Sequence, residues 1–270
     1  MSQCTIIILY IYQITKMREF KILFLIAVSL LINSISSQVI KSELHNEKIL
    51  TFPVKRNLNS KLNDFLEHKL RQMMIKGDEK FNLPVMDPLH GYDQQFDFNI
   101  DKIMVSAKAN EYHAVGLSSY VVKGSNVNTF KRRIDVSMNF PIITAHGLYN
   151  LDGFVGENTP VFGTGDFNMT CTDFYYSATA YVSVFGKVQV KSLDLKISLK
   201  KLDLSMTGLM NDDQTSWILS EVFSDMIPKI IDQYHDEIVT IISAKVIEII
   251  NKNLNGMSIT DLLGLLNGNF

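Results

Sequence analysis

Cysteine is nearly absent from this chain: 270 residues contain two, Cys4 and Cys171. A disulfide scaffold is thereby excluded, as is any zinc site built on paired cysteines. Excess charge is also missing, with 26 Lys+Arg against 28 Asp+Glu. The longest basic run, Lys131-Arg132-Arg133, lies among strand-like neighbours and reads as a solvated strand edge, so nucleic acid is not an expected partner. Catalytic signatures are lacking too. His45, His68, His90, His113, His146 and His235 have no zinc-type spacing along the chain, and there is no Gly-x-Ser-x-Gly elbow. Gly163-Thr164-Gly165 is followed by Asp-Phe-Asn rather than a third glycine, which reads as a turn between strands and not a dinucleotide loop. Asp152-Gly153 reads as a hairpin turn. No enzyme activity, metal or cofactor is expected.

Long apolar runs are scarce as well. Ile22 to Ile32 is too short for a membrane span, which needs about 20 residues. Preceded by Met17-Arg18-Glu19-Phe20-Lys21 and followed by Ser34-Ile35-Ser36, it has the order of a secretory signal peptide cleaved near Ser36. Residues 1–37 are accordingly expected to be leader, with Met17 the effective initiator, and residues 38–270 a single extracellular domain. After cleavage Cys171 stands alone. It shares strand parity with Phe167 and Met169, as a buried, inert thiol would.

What the chain does have is periodicity. Residues 57–76 carry Leu58, Leu62, Phe65, Leu66, Leu70, Met73 and Met74 on one helical face, and Gly77 supplies a stop. Two prolines in residues 82–89 forbid helix and favour an extended lead-in. Strand-like alternation then runs from Phe96 to about Met210, as in Ile134, Val136, Met138 and Phe140. Parity slips at Lys191-Ser192 and again at Lys200-Lys201, which predicts a bulge or tight turn at each. One apolar and one wet face per strand means an antiparallel sheet. Residues 214–253 form an amphipathic helix with an apolar stripe through Leu219, Phe223, Ile227, Ile231, Ile238, Ile242 and Val246. Asp213 or Thr215 would cap it, and Pro228 should bend or divide it. A sheet with one greasy face wrapped around a helix with one greasy stripe satisfies both, giving an α+β architecture.

Several stretches, in order, now resemble one family: Leu83-Pro84-Val85-Met86-Asp87-Pro88-Leu89, Gly116-Leu117-Ser118, Phe140-Pro141, residues 147–153, residues 163–167 and Trp217-Ile218-Leu219. Together they are similar to the takeout and haemolymph juvenile-hormone-binding proteins of insects, and more distantly to the group 7 mite allergens. The resemblance implies a tubular lipid-binding fold, a long C-terminal helix enclosed by a strongly curved antiparallel β-sheet, with an internal apolar tunnel. The family's usual N-terminal cysteine pair has no counterpart in residues 38–80. A monomeric secreted carrier of a small hydrophobic ligand is the expected function. The alternative is an extracellular interaction protein that recognises microbial lipid or a protein receptor and carries no cargo. Met138, Phe140, Tyr149, Phe162, Phe167, Trp217, Phe223 and Ile227 are the candidate tunnel residues, being large, apolar and of suitable parity. Lys191, Asp194, Lys196, Lys200 and Asp203 all alternate outward, so no charged anchor for a ligand is expected inside. Asn168-Met169-Thr170 is a glycosylation sequon with Asn168 facing out. Residues 257–270 carry four leucines as a weak amphipathic turn, expected to dock loosely.

Overall fold

The computed structural model describes residues 54–78, 84–100, 103–128, 130–156, 159–183 and 188–253. The expected leader, its cleavage point and the C-terminal tail lie outside them. The first helix, α1 (Val54–Asp64), passes through a π-helical turn (Phe65–Lys69) into α2 (Leu70–Lys76). It ends where Gly77 adopts a positive φ of 72° and donates its amide to Met73 O. Leu62, Phe65, Leu66, Leu70 and Met74 are its buried side chains.

Six strands follow: β1 (Leu89–Ile100), β2 (Ile103–Val115), β3 (Val121–Asn128), β4 (Arg133–Val155), β5 (Thr159–Ser183) and β6 (Gln189–Met206). All pairings are antiparallel, in the order β1-β2-β4-β5-β6, with β3 also on β4. β2 and β3 share one edge of β4, separated by a 3-10 turn (Leu117–Ser119). Asp87 holds that turn in place. Its carboxylate accepts from Gly116 N at 3.0 Å, Ser118 N at 2.7 Å and Ser118 Oγ at 2.6 Å, so two of the sequence stretches singled out above meet in space.

Alternation is interrupted on one line across the sheet. Phe140 and Ile143 are both core residues, as are Cys171 and Phe174, and Leu199 and Leu202. Between each pair, two consecutive residues face away from the core, and the register on either side is unchanged. The pleat thus slips by one residue in three neighbouring strands together, along Pro141, Asp173 and Lys200. Asp173 takes a left-handed φ of 52° and is held by Asn139 Nδ2 at 3.2 Å and Lys200 Nζ at 3.1 Å. These bonds, Asn139 foremost, keep its carboxyl below the usual aspartate range. This is the slip expected at Lys200-Lys201. The other, at Lys191, is a bulge: Tyr181 pairs with Ser192 and Val182 with Val190. Both devices bend a sheet that is strongly curved.

Two sequence expectations are corrected here. Asp152-Gly153 is not a hairpin turn but lies within β4, opposite Phe162 and Val161; the chain turns at Gly156, where φ is 72°. Gly163-Thr164-Gly165 likewise lies inside β5. A Cβ on Gly163 would sit 2.7 Å from Gly208 O, so this glycine serves close approach of the segment leaving β6 rather than a turn.

The C-terminal helices are α3 (Asp213–Gln233) and α4 (His235–Asn253). The break falls at Tyr234 and not at Pro228, which is accommodated within α3. The N-cap is Asp212, which accepts from Thr215 N at 2.7 Å, rather than Asp213 or Thr215. β6 ends the sheet, and its outer backbone edge would be left unpaired. Side chains of the helices occupy it. Met206 N donates to Ser220 Oγ and Leu204 N to Ser224 Oγ, both at 2.9 Å; Ile197 N donates to His235 Nε2 at 3.4 Å and Val190 N to Asn251 Oδ1 at 2.8 Å. The helix pair therefore runs the length of the strand and seals it. Because Ser224 meets Leu204 and His235 meets Ile197, the helix break and the pleat slip at Lys200 lie in the same part of the molecule.

Candidate functional site: the apolar interior

One continuous core joins the inward faces of the sheet to the helices. On one side of the pleat slip, β4, β5 and β6 contribute Ile143, Tyr149, Phe167, Met169, Leu202 and Met206, beside α3 with Phe223 and Ile227. On the other side they contribute Ile134, Met138, Phe140, Phe174, Ile197 and Leu199, beside α4 with Ile238, Ile242 and Val246. The interior carries no charge among the described residues: the only buried polar side chains there are Ser216 and Ser220. Both spend their hydroxyls on helix carbonyls, Ser216 on Asp212 O and Ser220 on Ser216 O, each at 2.7 Å. Lys191, Asp194, Lys196, Lys200 and Asp203 are all exposed, as their parity requires.

Phe140 is the centre of an aromatic cluster, with Tyr120, Phe174 and Tyr176 rings at 5.8, 6.0 and 6.1 Å. Tyr120, Phe174 and Tyr176 escaped sequence reasoning. The parity of Phe167, Met169 and Cys171 does not carry past Asp173, so Phe174 and Tyr176 are assigned to the core only once the slip is known. Interior hydroxyls are spoken for. Tyr149 donates to Thr207 O at 2.7 Å, Tyr120 to Leu66 O, and Tyr176 lies 3.3 Å from Met138 Sδ. Burial raises all three phenols, Tyr149 to about 12. Arg71 stacks on the Tyr120 ring at 4.9 Å and donates to Tyr120 O at 2.9 Å. Cys171 is buried and free, and desolvation pushes its thiol up to about 12, leaving it protonated and unreactive at neutral pH.

Of the expected tunnel residues, Met138, Phe140, Tyr149, Phe167, Phe223 and Ile227 fall in the core; Phe162, half-buried, does not, because Val161 and Gly163 beside it take the inward positions of β5 and turn it to the outer face. Trp217 does not join them. It is 66% exposed, because the buried stripe of α3 runs through Ser216, Ser220, Phe223 and Ile227, and the next residue after Ser216 is turned about 100° away from it. Asn168 is exposed on the outer face of β5, as the sequon reading expects.

Clefts open on the outer face among the described residues. A groove of about 970 Å³ separates the wet side of β6 from α3 and is walled by Lys200, Lys201, Asp203, Glu221, Asp225 and Lys229. Such walls suit water and ions better than hydrocarbon. A smaller cleft of about 270 Å³ holds His90, His113 and His146. Among the described residues no helix is long and apolar enough to cross a membrane.

The fold has a solved counterpart in Takeout 1 of Epiphyas postvittana, with a TM-score of 0.55, 15% identity, and coverage of 77% of this chain and 94% of that one. A lipopolysaccharide binding protein is a weaker likeness, at TM-score 0.30 and 14% identity over 74% of this chain and 38% of that one. No curated protein matches the chain. The family model described as haemolymph juvenile hormone binding protein matches residues 26–264, nearly the whole length. The chain therefore belongs to the haemolymph juvenile hormone binding protein family.

Proposed function

We propose that this protein is a secreted, non-enzymatic carrier of a small hydrophobic molecule, such as a terpenoid or fatty acid, held between the curved sheet and the C-terminal helices. The observation that carries this reading is the chemistry of that interior in a member of this family: large, apolar, free of charge, with its hydroxyls already hydrogen-bonded to protein. Met138, Phe140, Tyr149, Phe167, Phe223 and Ile227 would line the ligand. Met138, Met169 and Met206 supply unbranched, polarizable side chains that can repack around an irregular guest. Binding would be driven by desolvation at about 25 cal/mol per Å² of buried apolar surface, so a few hundred Å² suffices for micromolar affinity after association costs. Export with cleavage near Ser36 and a glycan on Asn168 belong to the same reading.

With Arg71, the cation beside the aromatic cluster, already held by Glu67 and Tyr120 O, and Tyr149 donating to Thr207 O, nothing in the interior favours an ionised head group. The test is a competition series against a fluorescent lipid. Acid, alcohol and methyl ester of one chain length should bind within about tenfold of one another, whereas each added methylene should gain about 0.8 kcal/mol until the space is full. A hundredfold preference for the ionised acid over its ester contradicts the proposal.

A further inference from the structure

His90, His113 and His146 are far apart in sequence, yet the sheet places them in a single row. His90 is the register partner of His113 across β1 and β2, and His113 of His146 across β2 and β4. All three point away from the core, since Leu89, Ala114 and Ala145 beside them are buried. Their ring centroids are 4.4 and 5.0 Å apart. With metal–nitrogen bonds of about 2.0–2.1 Å, two imidazoles sharing one ion at a tetrahedral angle have ring centres about 5 Å apart. The unligated spacing already matches. The surroundings favour a cation: Glu111 and Asp166 line the same cleft.

We propose that this ladder is a divalent transition-metal site, taking one Zn²⁺ or Cu²⁺ between adjacent imidazoles, with His113 the ligand common to both pairs. Imidazole nitrogen suits these ions better than Mg²⁺ or Ca²⁺. Among the described residues no three His, Cys, Asp or Glu side chains already converge on one point, so the site is a two-imidazole chelate completed by water rather than a closed structural centre. Bound metal would tie β2 to the neighbour whose imidazole shares the ion, either β1 at the edge of the sheet or β4. The inference is independent of the carrier reading, since the ladder and the apolar interior lie on opposite faces of the sheet.

Titrating the full protein with zinc chloride, followed by calorimetry and thermal unfolding, tests it. Wild type should bind about one ion per chain, unfold at higher temperature when loaded, and release the ion as pH falls from neutral to about 5. His113→Gln should weaken binding at least tenfold. His90→Gln and His146→Gln each leave one pair and should cost less. The rings are on the wet face, so these variants should fold, which circular dichroism checks. Equal binding by wild type and the triple His→Gln variant, or no greater loss from His113→Gln than from either outer substitution, overturns the proposal.

Discussion

Trp217 sits on the wet side of α3, and that placement decides what intrinsic fluorescence can report. It is the protein's single tryptophan and is 66% exposed. The sequence alone suggests an optical probe of ligand, since the residue opens the helix that faces the interior. The structure reverses the expectation. Emission should be that of a hydrated indole, and saturating a fatty acid or terpenoid should move it little, while calorimetry on the same sample registers binding. A large, saturable blue shift would place ligand against the outer face of α3 instead. Asp173 is the other residue on which much depends: its left-handed backbone, Asn139 and Lys200 fix the line where three strands change face. A non-glycine residue at positive φ is uncommon but is best tolerated by Asp and Asn.

At the scale of elements, the helices α3 and α4 do two jobs. They supply an apolar stripe, and they satisfy the free edge of β6 with Ser220, Ser224, His235 and Asn251. An unpaired edge invites association with other chains, so closing it protects the fold. Ser220→Ala removes the acceptor for Met206 N at a site where water has little access, and should cost about 1–3 kcal/mol in a denaturant titration. Ser198→Ala, on the wet face of the same strand, should change stability by no more than about 0.5 kcal/mol. Equal effects would mean that the helix does not cap the strand. Helix existence, strand alternation and both parity slips were legible in the sequence, because burial imposes periods of 3.6 and 2 on it. Boundaries were less so. Proline at position 228 marks a local backbone conflict, yet the break depends on where the helices turn along β6, which is a property of the pair. Glycines 153 and 163 read as turns because close backbone approach leaves the same local signature as a turn.

For the whole molecule, the apolar interior was legible as composition and parity, and six of the eight candidate residues lie in it. What could not be read was anything requiring register: the aromatic cluster around Phe140, the bonding of Tyr149 to Thr207, and the histidine row. Six histidines judged only by their spacing along the chain show no pattern, whereas three strands laid in register bring three of them side by side. The central claim is that the interior holds hydrophobic cargo. Native mass spectrometry of the protein purified after secretion from insect cells tests it most directly. The account expects a chain carrying one non-covalent adduct of lipid mass that is released on denaturation and extracts into organic solvent. Protein that arrives bare, and stays bare after incubation with fatty acids and terpenoids of several lengths, would contradict it.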